Sequence, residues 1–320
     1  MNSVLIVSGA NDKHAEFLRD KLEEKGIDSF LFLTDKYPYK AMITICQDYK
    51  LVEYNCREEK IDARWSIWNR RVFPPEFPAG FPSNLEEMVR EEAKRTIHGL
   101  MNVHDGLVVN RPYENHAANN KIEQLRRARK LGFIVPDTIV TNDHKAAIDF
   151  YKKHDNDIIF KMQKLPIIKD DETYSTIMTS RVLEEHMQNN ERINNSSCLF
   201  QERIEKDYET RLTVVGDRLF PVAIHSQDSE LSKDDFRRYD FEKVKYEQVE
   251  IPEDIRIKTK RLVRSYGLHY AALDIIKTPD DKYVFLEINP NGQYLWTEEL
   301  SGAKITDALA EYLAEGKNDR

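Results

Sequence analysis

The chain opens on the apolar run Val4-Leu5-Ile6-Val7 and then changes to helical spacing over 12–25, which stops at Gly26. Another apolar run fills 28–33, so the opening reads as strand, helix, strand, the start of a parallel sheet. Shorter apolar runs predict strands at 41–46, 51–54 and 66–69, the last ending in Arg70-Arg71. Pro74, Pro75, Pro78 and Pro82 interrupt regular structure. Helical periodicity returns over 84–101, and a strand at 107–109 closes a first unit.

Past Arg111-Pro112 the spacing predicts one long polar helix over 114–131, ended by Gly132 and followed by an extended 138–141. Asp143 is placed to cap a helix carrying Ala146, Ala147 and Phe150, and Ile158-Ile159-Phe160-Lys161 reads as a buried strand. The polar stretch 163–174 predicts an irregular, mobile loop. Strands follow at 198–202, 209–215 and 219–224, the last two joined by Gly216-Asp217 as a tight hairpin. After a helix over 254–266, strands at 270–277 and 283–289 form a second hairpin around Pro279-Asp280-Asp281. A final amphipathic helix over 305–314 is expected to pack on the sheet. The fold class is α/β, parallel at the N-terminal end and antiparallel at the C-terminal end. Three units are expected, at 1–112, 113–190 and 191–320.

Composition narrows the partners. With 320 residues, 40% of them hydrophobic, the chain can bury a sizeable core. A formal net charge of −8 provides no footprint for nucleic acid and no attraction to an anionic membrane, so an acidic substrate needs a locally basic pocket. No apolar stretch approaches the roughly 20 residues that span a bilayer, and the start lacks the marks of a signal peptide, which points to the cytoplasm. Cys46, Cys56 and Cys198 show no paired spacing, so neither a disulfide framework nor a zinc site is expected, and Cys198 reads as core. His14, His98, His104 and His116 have no ligand spacing and read as ordinary polar residues. A homodimer is the prior that the frequency of symmetric oligomers supplies.

Three groups of residues carry chemistry. Asp274, Glu287 and Asn289 lie on two adjacent antiparallel strands, and period-two alternation puts Glu287 and Asn289 on one face with Leu286 and Ile288 packed behind. Hard oxygen donors of this kind suit Mg2+ bound to a nucleotide; an exposed polar face on an edge hairpin would carry the same residues. Lys121 and Lys161, from different elements, can grip a triphosphate without a P-loop, or be solvated surface groups. The strand end Phe200-Gln201-Glu202-Arg203-Ile204 can present backbone groups and Glu202 to an adenine edge, or be an ordinary strand end. Arg211 faces away from Leu212 and Val214 and suits a phosphate or a substrate carboxylate, with a surface salt bridge as the alternative.

The chain resembles the ATP-grasp peptide macrocyclases that mature microviridin-type ribosomal peptides, the graspetides. The likeness runs along nearly the whole chain: Trp68-Asn69-Arg70-Arg71, Asn120-Lys121 with Gln124-Leu125, Gly132 to Thr138, Thr141-Asn142-Asp143, Glu209 to Gly216, His225-Ser226-Gln227 and Leu286 to Gln293. One departure is that 163–180 contains no glycine, whereas many ATP-grasp enzymes close a glycine-rich loop over the phosphates. Thr176, Thr179 and Ser180 are side chains that could close it instead.

The resemblance implies an ATP-grasp fold with an N-terminal pre-ATP-grasp domain and a C-terminal nucleotide-binding region. It implies ATP bound by Lys121, Lys161, Gln201, Glu202 and Ile204, and Mg2+ held by Asp274, Glu287 and Asn289. Arg211 would be catalytic. The implied partner is a ribosomally made precursor peptide with a leader and an acidic core. Its Asp or Glu carboxylates would be activated as acyl phosphates for attack by Ser or Thr hydroxyls, giving esters, or by Lys amines, giving amides, with the ester favoured. A ligase of free small molecules is the alternative enzyme, and a non-catalytic nucleotide- or peptide-binding protein the alternative of another class.

Overall fold

The structure is a computed structural model that describes residues 1–164, 168–170, 173–229 and 243–317. At the N-terminal end β1 (Ser3–Ser8), β2 (Ser29–Leu33), β6 (Trp65–Asn69) and β7 (Val108–Val109) form a parallel sheet in the order β2-β1-β6-β7. A small antiparallel sheet of β3 (Ala41–Ile45), β4 (Lys50–Tyr54) and β5 (Arg57–Lys60) is inserted before β6, and β5 was not foreseen in its charged sequence. Alternation along β1 divides the packing. Val4 and Ile6 face α1 (Lys13–Glu24), while Leu5 and Val7 face Ile97, Leu100 and Met101 of α2 (Ser83–Asn102). Asp12 caps α1 by accepting from the His14 N–H at 3.1 Å.

The expected long polar helix is two helices, α3 (Pro112–Ala118) and α4 (Lys121–Lys130). The break has a local cause: the Asn120 side chain accepts from the Glu123 N–H and caps a new helix, so Lys121 becomes its first residue rather than a mid-helix position. Next come β8 (Thr138–Thr141), α5 (His144–Lys153) and β9 (Ile158–Lys161). Within the stretch expected to be irregular, β10 (Ile168–Asp170) and β11 (Thr173–Ser175) pair as an antiparallel ribbon; residues 165–167 and 171–172 lie outside the described residues. After β12 (Ser180–Arg181) two short helices, α6 (Glu184–Met187) and α7 (Asn190–Asn194), lead to β13 (Cys198–Glu202). The sheet order is β12-β9-β13-β8, all antiparallel, so this sheet draws strands from both sides of residue 190. Cys198 is buried in its core, as expected.

The largest sheet contains β14 (Tyr208–Val215), β15 (Arg218–Ile224), β16 (Tyr246–Gln248), β17 (Tyr270–Lys277) and β18 (Tyr283–Asn289), in the antiparallel order β16-β15-β14-β17-β18. Gly216 at φ +56° makes the two-residue turn between β14 and β15. One face packs on α4 and on α8 (Glu253–Ser265) through Leu212, Val214, Leu262, Leu273, Ile275 and Phe285. Two helices close the chain, α9 (Leu295–Ser301), which was not foreseen, and α10 (Ile305–Glu315). The last helix does more than cover one sheet. Leu309 and Leu313 share a core with Val4, Ile6 and Leu18 of the parallel sheet and α1, and with Val215 and Val222 of the five-stranded sheet. Among the described residues no helix is long and apolar enough to cross a membrane.

Leu309 is fully buried at this three-way junction. Leu309→Ala is expected to destabilise the protein by about 2–5 kcal/mol, measured as a lowered urea midpoint; a change below about 1 kcal/mol would show that the junction collapses around the cavity.

Candidate functional site

A cleft of about 840 Å³ lies between the β12-β9-β13-β8 sheet and the five-stranded sheet. Its floor is a consequence of register. Arg211 on β14 is paired with Asp274 on β17, and Asp274 with Glu287 on β18, so three charged side chains form one row across three strands. Thr213, Ala272 and Asn289 form the next row. The third donor therefore stands beside the first two on the same face.

The alternation assumed for β18 is broken at one place. Ile275 pairs with Phe285 while Asp274 pairs with Glu287, which leaves Leu286 as the extra residue of a β-bulge. Ile288 is packed in the core behind the floor, as expected, but Leu286 lines the cleft. The bulge sets Leu286 and Glu287 side by side on the cleft side.

The nine residues to which the resemblance gives a role all line this cleft, Lys121, Lys161, Gln201, Glu202, Ile204, Arg211, Asp274, Glu287 and Asn289; of the three side chains considered for closing over it, Thr179 lines it and Thr176 and Ser180 do not. Lys121, at the start of α4, is ion-paired with Glu287. Arg211 donates to Asp274 at 2.8 Å and to the Gln293 carbonyl at 3.3 Å. It is only 6% exposed, so the surface salt bridge considered from sequence is instead a buried ion pair. Burial alone would depress its guanidinium, and the charge of Asp274 outweighs this and raises it above its ordinary value. Lys161 ends β9 opposite Leu199. Gln201 is buried and donates to the Thr138 hydroxyl at 2.9 Å, and Glu202 meets His154 at 3.7 Å.

Lys206 and Glu209 also line the cleft and were missed, although period-two alternation from Arg211 along β14 would have found Glu209. They form a buried pair at 2.9 Å, and burial pushes the Glu209 carboxyl up against the pull of Lys206. Thr179, Arg203 and Trp296 complete parts of the wall. Seven lysine and arginine side chains face the cleft against four carboxylates, which supplies the local basic pocket that the acidic chain as a whole lacks.

The residues fit a metal–nucleotide complex. Two carboxylates and an amide oxygen on one face are the hard donors that Mg2+ takes alongside phosphates. Both carboxylates are matched with cations, Asp274 with Arg211 and Glu287 with Lys121. Gln201 Oε1 and Arg211 Nε are buried with no hydrogen-bond partner among the described residues, which leaves polar atoms at the cleft in need of one.

The turn after β18 is held from the N-terminal end of the chain. Arg70 donates to the Asn291 carbonyl at 3.0 Å, and Asn110 donates to the Pro290 carbonyl at 3.0 Å and the Tyr270 carbonyl at 2.8 Å. Asn115 donates to Asn291 Oδ1 at 3.2 Å. His14, read as an ordinary polar residue, is buried: its Nε2 accepts from the Tyr294 and Leu295 N–H groups, and its Nδ1 meets Arg70 at 3.2 Å. Burial lowers the His14 imidazole. Burial would raise the Asp12 carboxyl, but hydrogen bonding with His14 and the charge of Arg70 outweigh it and hold it below the ordinary carboxylate range.

Similarity to known proteins runs in two blocks. Residues 3–115 match the family described as the MvdD pre-ATP grasp domain, and residues 118–313 match the RimK-like ATP-grasp domain. No curated protein matched in a sequence search. Among solved structures, macrocyclase MdnC bound with precursor peptide MdnA, from Microcystis aeruginosa MRC, is 29% identical with a TM-score of 0.89, covering 98% of this chain and 100% of that one. A RiPP-associated ATP-grasp ligase of Chryseobacterium gregarium, in complex with ADP and a leader and core peptide, is 28% identical with a TM-score of 0.91, covering 99% and 98%. Macrocyclase MdnB from Microcystis aeruginosa MRC is 25% identical with a TM-score of 0.80, covering 99% and 100%.

The titration of His14 and Asp12 has a definite sign. Both values are lowered in the folded state, so both contribute stability at neutral pH that is lost as pH falls. The unfolded chain takes up a proton on His14 from about pH 6.5 downward, and on Asp12 from about pH 4. The melting temperature is expected to fall between pH 7.5 and 5.5, and His14→Gln, which still accepts from the Tyr294 N–H, is expected to flatten that fall. An equal slope in the variant would remove His14 as its source.

Proposed function

Because the chain belongs to the RimK-like ATP-grasp family, we propose that it is an ATP-dependent carboxylate ligase that macrocyclises a ribosomally made precursor peptide. The observation that carries this reading is the row Arg211–Asp274–Glu287 beside Asn289, at the bottom of a basic cleft flanked by Lys121 and Lys161. Similarity over nearly full length to peptide macrocyclases supports the peptide as substrate. The partner is a precursor with a leader and an acidic core.

Within this proposal Asp274, Glu287 and Asn289 hold Mg2+, and Lys121 and Lys161 hold the phosphates of ATP. Gln201, Glu202 and Ile204 line the adenine end, with Leu286 as an apolar wall. When bound, Mg2+ neutralises phosphate charge and polarises the phosphoryl group to be transferred. The cleft aligns a precursor Asp or Glu carboxylate with the γ-phosphorus; a new O–P bond forms as the bond to ADP breaks, which gives an acyl phosphate. A Ser or Thr hydroxyl of the same peptide then attacks the acyl carbon, phosphate leaves and the hydroxyl proton is lost, giving an ester; a Lys amine gives an amide by the same route.

Arg211 serves this chemistry through Asp274. Its guanidinium sets the carboxylate in place and keeps a positive charge beside the transferring phosphoryl group. On this reading the chain has three units, the first ending near 112 and the second extended beyond 190 to include β13, because among the described residues β13 pairs with β8 and β9 and with no strand of the five-stranded sheet.

Mass spectrometry of a neighbouring acidic precursor peptide, incubated with the protein, ATP and Mg2+, tests the function. Loss of about 18 Da per ring with ATP turnover, abolished in Asp274→Asn, is the expected result. Turnover with free amino acids and no change in any such peptide would make the protein a small-molecule ligase. Arg211→Ala is expected to lower kcat by about 10²–10³-fold while ADP still binds; an unchanged kcat would remove Arg211 from the mechanism.

A further inference from the structure

The sequence Asn289-Pro290-Asn291-Gly292 has two jobs in the fold. Its first residue lies on the cleft floor as the third oxygen donor, and the residues after it form the surface on which the N-terminal part of the chain is seated. Asn289 Oδ1 accepts from the Asn291 N–H at 3.0 Å, so the direction of that side chain follows the path of the turn. What fixes the turn is therefore what aims the donor.

Few of those restraints are local. Tyr270 donates its hydroxyl to the Gly292 carbonyl at 2.6 Å from β17. The others come from residues far earlier in the chain: Arg70 at the end of β6, Asn110 after β7 and Asn115 in α3. Arg70 is 3% exposed and carries a full charge, which is costly unless the charge is used. It contacts Asp12, His14 and the Asn291 carbonyl, so it links the cap of α1 to the turn. Asn110, 1% exposed, spends both amide hydrogens on the Tyr270 and Pro290 carbonyls and accepts from the His269 and Tyr270 N–H groups. Close approach adds a further restraint. A Cβ at Gly292 would sit 2.5 Å from Ala272 Cβ and 2.7 Å from Arg211 Nη2, so the turn lies directly against the Asp274 partner.

We infer that Arg70, with Asn110 and Asn115, is a positioning residue for the magnesium site: these N-terminal side chains hold the Asn289–Gly292 turn so that Asn289 stands beside Glu287 on the cleft floor. The N-terminal unit then sets metal affinity without supplying a ligand. The inference rests on the metal reading of the trio given above. Partners that orient a metal ligand from outside commonly change affinity by about 10–100-fold when removed.

The test is ADP binding by calorimetry over a range of Mg2+ concentrations for the wild type, Arg70→Met, Arg70→Lys, Asn115→Ala and Asp274→Asn, with a melting curve for each. In Arg70→Met the half-saturating Mg2+ concentration is expected to rise about 10-fold or more, with metal-free ADP affinity unchanged. Arg70→Lys, which keeps one donor, should recover part of the shift, and Asn115→Ala, which deletes a single contact, should show a smaller shift of the same sign. If Arg70→Met does not melt cooperatively, Arg70→Lys and Asn115→Ala decide the matter. A wild-type magnesium requirement in both, or equal loss of ADP binding with and without Mg2+, overturns the inference, provided that Asp274→Asn loses its response to Mg2+. An Asp274→Asn protein that responds like the wild type overturns the metal reading and this inference together.

Discussion

Two carboxylates facing one another on neighbouring strands repel unless cations stand between or beside them, and this constraint organises the cleft. Asp274 and Glu287 are paired in register, too close to share a low-dielectric floor as bare charges. Arg211 from one side and Lys121 from the other neutralise them. The function proposed above would use the same arrangement, with the two carboxylates offered to a metal and Lys121 to a phosphate. The charges of the floor are thus balanced within the fold itself.

Much of this was legible in the sequence, for stated reasons. Glu287 and Asn289 are two residues apart on a strongly apolar strand, so alternation alone placed them together, and the hairpin around Pro279-Asp280-Asp281 brought Asp274 opposite. Other features were not legible because they depend on contacts rather than spacing. Nothing periodic marks Asn120 as a cap, and its effect, the division of one expected helix into two, is what puts Lys121 at the cleft. The bulge at Leu286 is likewise invisible to a period-two argument. His14 looked ordinary since, Asp12 apart, its partners are Arg70 and two backbone groups 280 and 281 residues away in the chain.

Contacts at long sequence separation also join the N-terminal sheet to the five-stranded sheet. The final helix shares its apolar face between the parallel sheet and the five-stranded sheet, while Arg70 and Asn110 reach the turn beyond β18.

The bulge at Leu286 separates two properties that a regular strand would join. Removing that one residue would let Phe285 and Glu287 pair consecutively with Ile275 and Asp274, and the ladder would become regular with both carboxylates where they stand now. The two carboxylates therefore do not need the irregularity to stand in register. What depends on it is the apolar side chain on the wall above them: the extra residue adds apolar surface to the cleft and leaves the charged row below it undisturbed.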